Sequence, residues 1–295
     1  MLEEHIERFI EYLCYEKRYS SHTIRAYVKD LKDFSIFISK EEIKNLESIS
    51  KKNIHQFLYF LSIKKYSNKS VARKLAAVKS FFNFLVKKKY LQKNIIKSVP
   101  GPKLEKKLPS FLNQDQISLL LNLKPQKNSD ELRDILILEL FYSTGVRISE
   151  LVKIKINEIN LNKNTIDILG KGNKKRVVIF GNYAKKRLLD YLNYDVNNKS
   201  GYLFEARRKS KQKYISQRFV FNVVKKYVAK VTQNEKISPH SLRHTFATHL
   251  LNNGADLISV KEFLGHANLS STQIYAHVNI EQMKKVFKRT HPHAK

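Results

Sequence analysis

The sequence predicts a mainly α-helical protein, in which an N-terminal helical bundle precedes a mostly helical C-terminal domain with a small antiparallel sheet. Three observations lead to this prediction. Apolar residues recur at helical spacing through most of the chain, one pair of β-branched runs lies between residues 164 and 180, and prolines cluster near residue 100.

The composition is strongly basic but still that of a folded protein. The 295 residues carry a formal net charge of +30, and 42% of them are hydrophobic, which excludes general disorder. Positive charge is in excess in both parts of the chain, +11 in residues 1–100 and +19 in the remainder. A polyanion is therefore the expected partner, with nucleic acid favoured over a membrane surface. A biased genome that enriches lysine is the alternative explanation of the charge.

Several classes of protein are excluded by what the sequence lacks. Its one cysteine, Cys14, rules out an internal disulfide framework and a cysteine-based metal cluster. No stretch approaches the roughly 18 consecutive apolar residues of a membrane-spanning helix, and the acidic, amphipathic start does not resemble an export signal. We therefore expect a soluble cytoplasmic protein, and no residue pattern indicates a cofactor.

Four helices are predicted before residue 100. The first two follow from apolar residues spaced three and four positions apart, and they place Cys14 in the core. The third is predicted from about Lys52 to Ile63, and the fourth from an N-cap at Ser70 to about Lys89. Basic residues lie off the apolar face of the fourth helix, as in a helix laid on DNA, although a solvated face explains them equally well. These residues are Lys69, Arg73, Lys74 and Lys79.

Prolines divide the chain into two domains. Three of the six prolines lie between residues 100 and 109, together with a glycine and three lysines. Because proline removes a backbone donor and disfavours helix in the residue before it, the upstream helices should end here. We therefore predict a first domain over residues 1–99, a linker over 100–112 and a second domain over 113–295.

The second domain is predicted to be helical around one hairpin. Asn113 and Gln116 have the spacing of a capping box, and Ser129 precedes a strongly apolar helix. Residues 164–169 and 175–180 are rich in β-branched residues and flank the loop GKGNK, which is typical of a β-hairpin. Further helices are predicted over residues 183–194, 218–231, 239–251, 257–264 and 272–277.

Polar residues concentrate in four segments that lie beside glycines. In the first, STGVRISEL, Arg147 begins a helix, where backbone N–H groups and the helix dipole favour an anion. A guanidinium there matches phosphate oxygens, although a surface salt bridge to Glu150 would explain the same residue. In the second, GKG, two glycines leave Lys171 on a mobile arm that suits proton donation, or that is merely solvated.

The third segment is SPHSLRHTFATH. Ser238 has the position of an N-cap, and His240 and Arg243 then share a face of the first helical turn, at an anion-binding end. His240 and His244 are four residues apart, which raises a metal site. The segment holds no Cys, Asp or Glu to complete one, so no metal is predicted.

The fourth segment is LGHANLSSTQIY. Gly265 is predicted to end a helix and to leave His266 in a loop, and Tyr275 follows nine residues later. Taken alone, Tyr275 would be interpreted as a packing residue.

Together and in this order, the four segments resemble the tyrosine recombinase family, also called phage integrase-like. The resemblance rests on the Arg of TGVRISEL, the Lys of GKG, the segments HSLRH and LGH, and the Tyr that follows. The basic helical lobe before the linker is similar to the family's SAM-like core-binding domain, which implies a two-domain clamp around DNA. The length, STQIYAHV and the ending HPHAK are most similar to the XerC/XerD type, which resolves chromosome dimers.

The resemblance implies a reaction and a role for each residue. Tyr275 would attack a DNA phosphodiester and form a 3′-phosphotyrosyl bond, with neither metal nor ATP. Arg147 and Arg243 would bind the non-bridging oxygens, and Lys171 would protonate the leaving 5′ oxygen.

Three further residues are assigned by the same resemblance. His240 would assist proton transfer at the tyrosine, and His266 would hydrogen-bond the phosphate. Glu150 would orient its neighbours without reacting.

The resemblance also implies an assembly. The family acts as a tetramer on two duplexes and passes through a Holliday junction, so we expect a homo- or hetero-tetramer on a dif-like site, with a septal DNA translocase as a possible activator. The tail over about residues 277–295 resembles one that docks on a neighbouring subunit, although packing within its own chain is the alternative. Its apolar stripe consists of Val278, Ile280, Met283, Val286 and Phe287.

Other functions stay open at this point. Within the family, an integrase or invertase of a mobile element has the same site. A basic architectural DNA-binding protein would explain the charge and the helices but not the four segments. Carboxylates are sparse around the His and Arg segments, which disfavours a metal-dependent nuclease.

Overall fold

A computed structural model of the chain describes residues 2–43, 45–105, 110–123, 129–170, 175–194, 200–206, 212–265 and 280–294. The chain divides into two compact units, residues 1–107 and 108–295, and the division falls within the proline-rich segment. Each unit has a hydrophobic core of its own. Over the described residues, no helix combines the length and the apolar character that crossing a membrane requires.

Four α-helices form the described part of the N-terminal unit. They are α1 (Leu2–Glu11), α2 (Ser21–Lys40), α3 (Lys51–Ile63) and α4 (Asn68–Lys87). A π-helical turn, Tyr12–Glu16, continues α1, and a 3₁₀ turn, Leu46–Ser48, precedes α3.

Serine side chains begin three of these helices. The hydroxyls of Ser20, Ser50 and Ser67 accept the backbone N–H three residues later. Ser70, predicted as the N-cap of the fourth helix, instead lies within α4 and donates its backbone N–H to Ser67 Oγ at 3.3 Å. Since Ser67 has the extended backbone of an N-cap, with φ −62° and ψ 148°, the helix begins one turn earlier than predicted.

Phenylalanine rings fill the core of the N-terminal unit. Phe34 of α2 lies edge-on to Phe57 of α3 with centroids 5.2 Å apart, and Phe9 of α1 packs against Phe81 of α4 at 5.6 Å. Cys14 is only partly buried, so its prediction as a core residue is wrong. The π-helical turn has a different period from the α-helix, which rotates Cys14 away from the predicted apolar face.

An ion network joins α2 to α4. Asp30 accepts a hydrogen bond from Lys74 Nζ at 3.1 Å and another from Arg73, and Lys74 also pairs with Asp33. Lys74 is 0% exposed and its ammonium lies 5.0 Å from the centre of the Tyr66 ring. The prediction that Lys74 lies on a DNA-facing surface is therefore wrong. Two carboxylates and an aromatic face compensate the cost of burying its charge.

The other three predicted DNA contacts of this helix differ in their surroundings. Lys69 is exposed near the start of α4. The side chain of Arg73 is 48% exposed while it holds Asp30, and Lys79 donates to the Val99 carbonyl at 2.6 Å. Their contacts with DNA remain predictions.

Replacing Lys74 by methionine should destabilise the N-terminal unit. The substitution keeps the volume but removes a buried ammonium from two carboxylates, and loss of one partner of a buried pair costs roughly 3–5 kcal/mol. Chemical denaturation measures the free energy of unfolding. The matched control is Lys69→Met, an exposed lysine of the same helix, which should change it by less than about 0.5 kcal/mol. Equal stability of the two variants would contradict the assignment of Lys74 to the core.

The C-terminal unit is mostly helical. Its α-helices among the described residues are α5 (Gln114–Leu121), α6 (Ser129–Thr144), α7 (Ile148–Leu151), α8 (Asn182–Tyr194), α9 (Gln217–Val228), α10 (Pro239–Asn252), α11 (Leu257–Leu264) and α12 (Ile280–Thr290). The predicted capping box is confirmed, because Gln116 donates its backbone N–H to Asn113 Oδ1 at 2.8 Å and Asn113 donates to Gln116 Oε1 at 3.1 Å. Helix α6 is apolar around most of its circumference, and it forms the centre of this unit's core.

A small antiparallel sheet lies beside these helices. Its strands are β1 (Ile159–Asn160), β2 (Thr165–Leu169) and β3 (Lys175–Ile179), in the order β1-β2-β3. In the β2–β3 pair, Ile166 lies opposite Val178 and Ile168 lies opposite Arg176. The mainly α fold with one small antiparallel sheet is thus confirmed. Strand β1 was not predicted, since two residues are too few to show an alternating pattern.

Helix α12 packs on α10 and α11 of its own chain. Phe287 is 3% exposed and lies against Phe263, with ring centroids 6.1 Å apart. Met283 and Val286 pack on the same apolar cluster. Of the predicted apolar stripe, Val278 and the side chain of Ile280 lie outside what the structure describes. Docking of this tail on a neighbouring subunit stays a prediction.

Candidate functional site

Arg147 lies between the end of α6 and the start of α7. Its backbone N–H donates to Glu150 Oε2 at 2.8 Å, and its Nη1 donates to Glu150 Oε1 at 2.9 Å. Glu150 therefore caps α7 and orients the guanidinium at the same time. The ion pair that offered an alternative explanation of Arg147 is present, yet 37% of the arginine side chain remains exposed. Among the described residues, the hydrogen bonds of this side chain leave further N–H donors for an anion.

Arg243 reaches the same place from α10. Its Nη1 donates to the Gly145 carbonyl and its Nη2 donates to the Leu264 carbonyl at 2.6 Å. The residue is 6% exposed. Pro239 begins this helix as predicted, but the Ser238 side chain makes no capping bond to it. The guanidinium fork thus joins the end of α6 to the end of α11.

The positive charge of Arg243 is not fully compensated. Burial, and then repulsion from Arg147 and Arg176, outweigh the attraction of Glu150 and lower the pKa of Arg243 to about 10. At neutral pH the group stays protonated. An anion placed beside it would relieve both the repulsion and the incomplete solvation.

Gly145 is required by this arrangement. Its φ is +59°, and a Cβ atom on it would lie 2.5 Å from the ring of Phe246. The absence of a side chain lets the chain turn sharply between α6 and α7. Its carbonyl consequently points at Arg243.

Arg176 of β3 is a member of the site that sequence reasoning missed. Its Nη1 and Nη2 donate to Glu150 Oε1 and Oε2 at 2.7 and 2.9 Å. Glu150 is 5% exposed, and although burial raises its pKa, the hydrogen bonds from Arg176 and Arg147 outweigh that effect and hold the pKa below its ordinary value. The available signal was a charged residue inside a β-branched run, because a half-buried arginine usually has a carboxylate partner.

The C-terminal end of α11 completes the described part of the site. Gly265 ends this helix with φ +63°, as predicted. Its carbonyl lies 3.5 Å from Arg147 Nη2, and a Cβ atom on it would lie 2.6 Å from Arg176 Cδ. The negative end of a helix dipole therefore faces the arginine cluster, which we define as Arg147, Arg176 and Arg243.

His240, the predicted site residue of α10, and His244 lie in the first two turns of this helix. His240 is exposed and His244 is half-buried, with its ring edge-on to Phe111 at 6.0 Å. Burial and then repulsion from His240 lower the pKa of His244. Within the described ranges, no group of three or more His, Cys, Asp or Glu side chains is placed to hold a metal ion.

Three predicted site residues, Lys171, His266 and Tyr275, lie outside the described residues. The structure describes the chain up to Gly170 and again from Lys175, and up to Gly265 and again from Ile280. The segments that hold Lys171 and His266 thus adjoin elements that contact the arginine cluster. Their roles, and that of Tyr275, stay predictions.

The chemistry of the described residues suits a polyoxygen anion. Glu150 pairs with Arg147 and Arg176, and Arg243 lies within electrostatic reach of all three, so the cluster keeps a net positive charge. Arginine forks match the oxygens of a phosphate, and partial burial strengthens their attraction for it. The arrangement can hold a phosphodiester and stabilise charge that develops on it.

The chain matches two known domain families. Residues 110–292 match the Phage integrase family, and residues 6–89 match the Phage integrase, N-terminal SAM-like domain. Each match lies mainly within one of the two compact units.

Relatives of known type cover nearly the whole chain. It is 39% identical to tyrosine recombinase XerC of Anoxybacillus flavithermus, over 97% of this chain and 97% of that protein. It is 34% identical to tyrosine recombinase XerD of Staphylococcus haemolyticus, over 99% and 100%. Among solved structures it is similar to the XerH site-specific recombinase bound to difH substrate in a pre-cleavage complex, with a TM-score of 0.67 and 26% identity over 90% of this chain and 78% of that one.

Proposed function

Since this chain belongs to the phage integrase family of tyrosine recombinases, in its XerC/XerD type, we propose that it cuts and rejoins DNA through a covalent 3′-phosphotyrosyl intermediate. It is a site-specific DNA recombinase. The observation that supports the proposed chemistry is the arginine cluster, in which Glu150 pairs with Arg147 and Arg176, Arg243 lies beside them, and net positive charge is left for a phosphate. DNA is the polyanion that the +30 charge of the chain favours.

The proposed cleavage step is a transesterification. The Tyr275 oxygen attacks the phosphorus, a phosphorus–oxygen bond to the tyrosine forms, and the bond to the 5′ oxygen of the next nucleotide breaks. The tyrosine proton passes to His240, and Lys171 donates a proton to the leaving oxygen. The 5′-hydroxyl of a partner strand then attacks the intermediate, reverses these proton transfers and rejoins the DNA. No water, metal or ATP takes part.

The arginines stabilise the transition state of this step. Negative charge grows on the non-bridging oxygens as the phosphorus becomes five-coordinate, and Arg147 and Arg243 donate hydrogen bonds to those oxygens. Arg243 is already fixed by the carbonyls of Gly145 and Leu264, so little reorganisation accompanies the reaction. Because Arg243 is buried, water weakens its electrostatic attraction for a phosphate less than it would at an exposed position. His266 adds a further hydrogen bond to the phosphate.

We propose chromosome dimer resolution at a dif-like site as the biological role. Relatives of the same length are named XerC and XerD, and a structural relative holds a difH substrate. The protein would act on chromosomal DNA as a homo- or hetero-tetramer on two duplexes, through a Holliday junction. Its tail over residues 277–295 would dock on a neighbouring subunit, and a septal DNA translocase is a candidate activator.

A nicked duplex tests the chemistry. A dif-like site from the host chromosome is given a nick next to the cleavage position, so that the short 5′-hydroxyl fragment diffuses away and the intermediate accumulates. In EDTA, the wild-type protein should yield a band of protein joined to DNA on a denaturing gel. The same protein on a scrambled duplex is the control and should yield none.

Three outcomes of this experiment would count against the proposal. Binding on a native gel without any adduct, on every member of a library of chromosomal sites, would favour an architectural DNA-binding protein. Activity that EDTA abolishes would indicate metal-dependent cleavage. An adduct on mobile-element ends but not on the chromosomal site would favour an integrase or invertase.

A further inference from the structure

Arg176 occupies a position between three parts of the candidate site. It lies on β3, opposite Ile168 of β2, and follows the segment that holds Lys171. Both of its terminal nitrogens contact Glu150, and its aliphatic stem lies directly on the backbone of Gly265. One side chain therefore touches the carboxylate that orients Arg147 and the end of the helix that precedes His266.

The hydrogen bonds of Glu150 show how the carboxylate is used. It accepts four, two from Arg176 and two from Arg147, at 2.7 to 2.9 Å. A carboxylate has about four acceptor positions, so these bonds saturate it. Glu150 cannot rotate toward Arg147 without giving up Arg176. Its geometry toward Arg147 is therefore set by Arg176.

The charges explain why a second arginine is needed. If Arg147 and Glu150 were alone, they would form a neutral ion pair, and the carboxylate would compete with a phosphate for the guanidinium. Arg176 adds a positive charge that offsets Glu150, so Arg147 is oriented without being neutralised. In addition, Arg176 Nε is buried and has no hydrogen-bond acceptor among the described residues. One more N–H donor is therefore unpaired there beside the site.

We propose that Arg176 is a positioning residue for DNA cleavage: it holds Glu150 so that Glu150 orients Arg147 while the arginine cluster keeps its net positive charge. This inference rests on the proposed function. Arg176 acts through Glu150 and through the Gly265 backbone. The variants that test it are therefore Arg176→Gln, which removes the charge, and Arg176→Lys, which keeps the charge but not the bidentate contact with Glu150.

The test measures the rate of adduct formation on the nicked duplex, with DNA affinity measured separately. Arg176→Gln should lower the rate on the order of 10- to 100-fold, as for other residues that orient a reactive group, and change DNA affinity by less than about threefold. Arg176→Lys should recover part of the rate. The matched control is Arg187→Gln, a partly buried arginine of α8 that donates to the Leu121 carbonyl at 3.3 Å. It should match the wild type.

The pH profile separates positioning from mere stabilisation of the fold. Arg147 binds Glu150 from the turn before α7 and Arg176 binds it from β3, while Arg243 of α10 lies within electrostatic reach. Without Arg176 the pKa of Glu150 rises, so the carboxylate becomes protonated as the pH falls through a range in which the wild type keeps it charged. The rate of Arg176→Gln should consequently fall on the acidic side, where the wild-type rate stays level.

A double-mutant cycle with Glu150→Gln completes the experiment. If Arg176 acts through Glu150, Arg176→Gln should have little further effect in that background, and additive effects would overturn the inference. A wild-type adduct together with equal rates and pH profiles for Arg176→Gln and Arg187→Gln would also overturn it, while leaving the proposed function intact. Absence of any wild-type adduct would instead refute the proposed function. If Arg176→Gln does not fold, a wild-type rate and pH profile for Arg176→Lys would be the refuting result.

Discussion

Tyr275→Phe should abolish the covalent protein–DNA adduct and leave DNA binding intact. The substitution removes a single oxygen, the proposed nucleophile, and retains the ring. Phenylalanine has no oxygen that could form a bond to phosphorus, so the rate should fall at least about 10,000-fold. The nicked-duplex gel measures the adduct, and a native gel of the same samples measures binding.

Tyr194→Phe is the matched control for this variant. Tyr194 is the last residue of α8 in the same unit, and it is 53% exposed. It should form as much adduct as the wild type. Equal adduct from Tyr275→Phe would assign the nucleophile to another residue, and with it the proposed mechanism would fail. A loss of binding together with the adduct would indicate that Tyr275 is needed for assembly on the DNA and would leave its role as nucleophile unsupported.

Among the variants discussed, Arg243→Lys should cause the second largest fall in the rate of adduct formation, after Tyr275→Phe. A lysine keeps the charge, but one ammonium cannot donate to the Gly145 and Leu264 carbonyls and also face a phosphate with fixed geometry. Loss of a charged clamp on the transition state costs about 3–5 kcal/mol, which corresponds to roughly a 200- to 5,000-fold lower rate of adduct formation. The rate is measured in a single turnover at saturating protein.

Stability must be separated from chemistry for this variant. Arg243 is buried, so its replacement also weakens the junction of α6, α10 and α11. Thermal unfolding and DNA affinity are therefore measured on the same preparation, and the rate is expressed per folded, bound protein. The matched control is Arg218→Lys, an exposed arginine of α9 whose guanidinium lies 5.6 Å from the centre of the Phe221 ring. A folded Arg243→Lys with the rate of this control would remove Arg243 from the proposed clamp.

Local structure was largely predictable from the sequence. Helical spacing predicts most helices of the described residues, whereas the helix predicted over residues 272–277 lies outside them. The capping box of Asn113 and Gln116 and the glycine stop at Gly265 are confirmed at the predicted residues. The β2–β3 hairpin was predictable because β-branched runs and a glycine-containing loop lie close together in the chain. Each of these features depends on interactions over a few residues, so the pattern that produces them is contiguous.

The candidate site was only partly predictable. Arg147, Glu150 and Arg243 stand in recognisable segments, and the structure brings them together. Arg176 was not predicted because its partner, Glu150, lies 26 residues earlier in the chain and belongs to another element. No local periodicity reports such a pair, since it forms only when β3 packs beside α7.

The sequence by itself determined the two helical units with one small sheet, the basic character and the segments that resemble a recombinase site. Only the tertiary structure decided which charged residues are buried in the core and which lie in the candidate site. Lys74 and Arg147 both look like basic residues of a helical segment, yet Lys74 lies buried between the carboxylates of α2, while Arg147 keeps exposed donors. The physical reason is that the role of a charged residue depends on its counter-charges and its burial. Folding supplies both from distant parts of the chain.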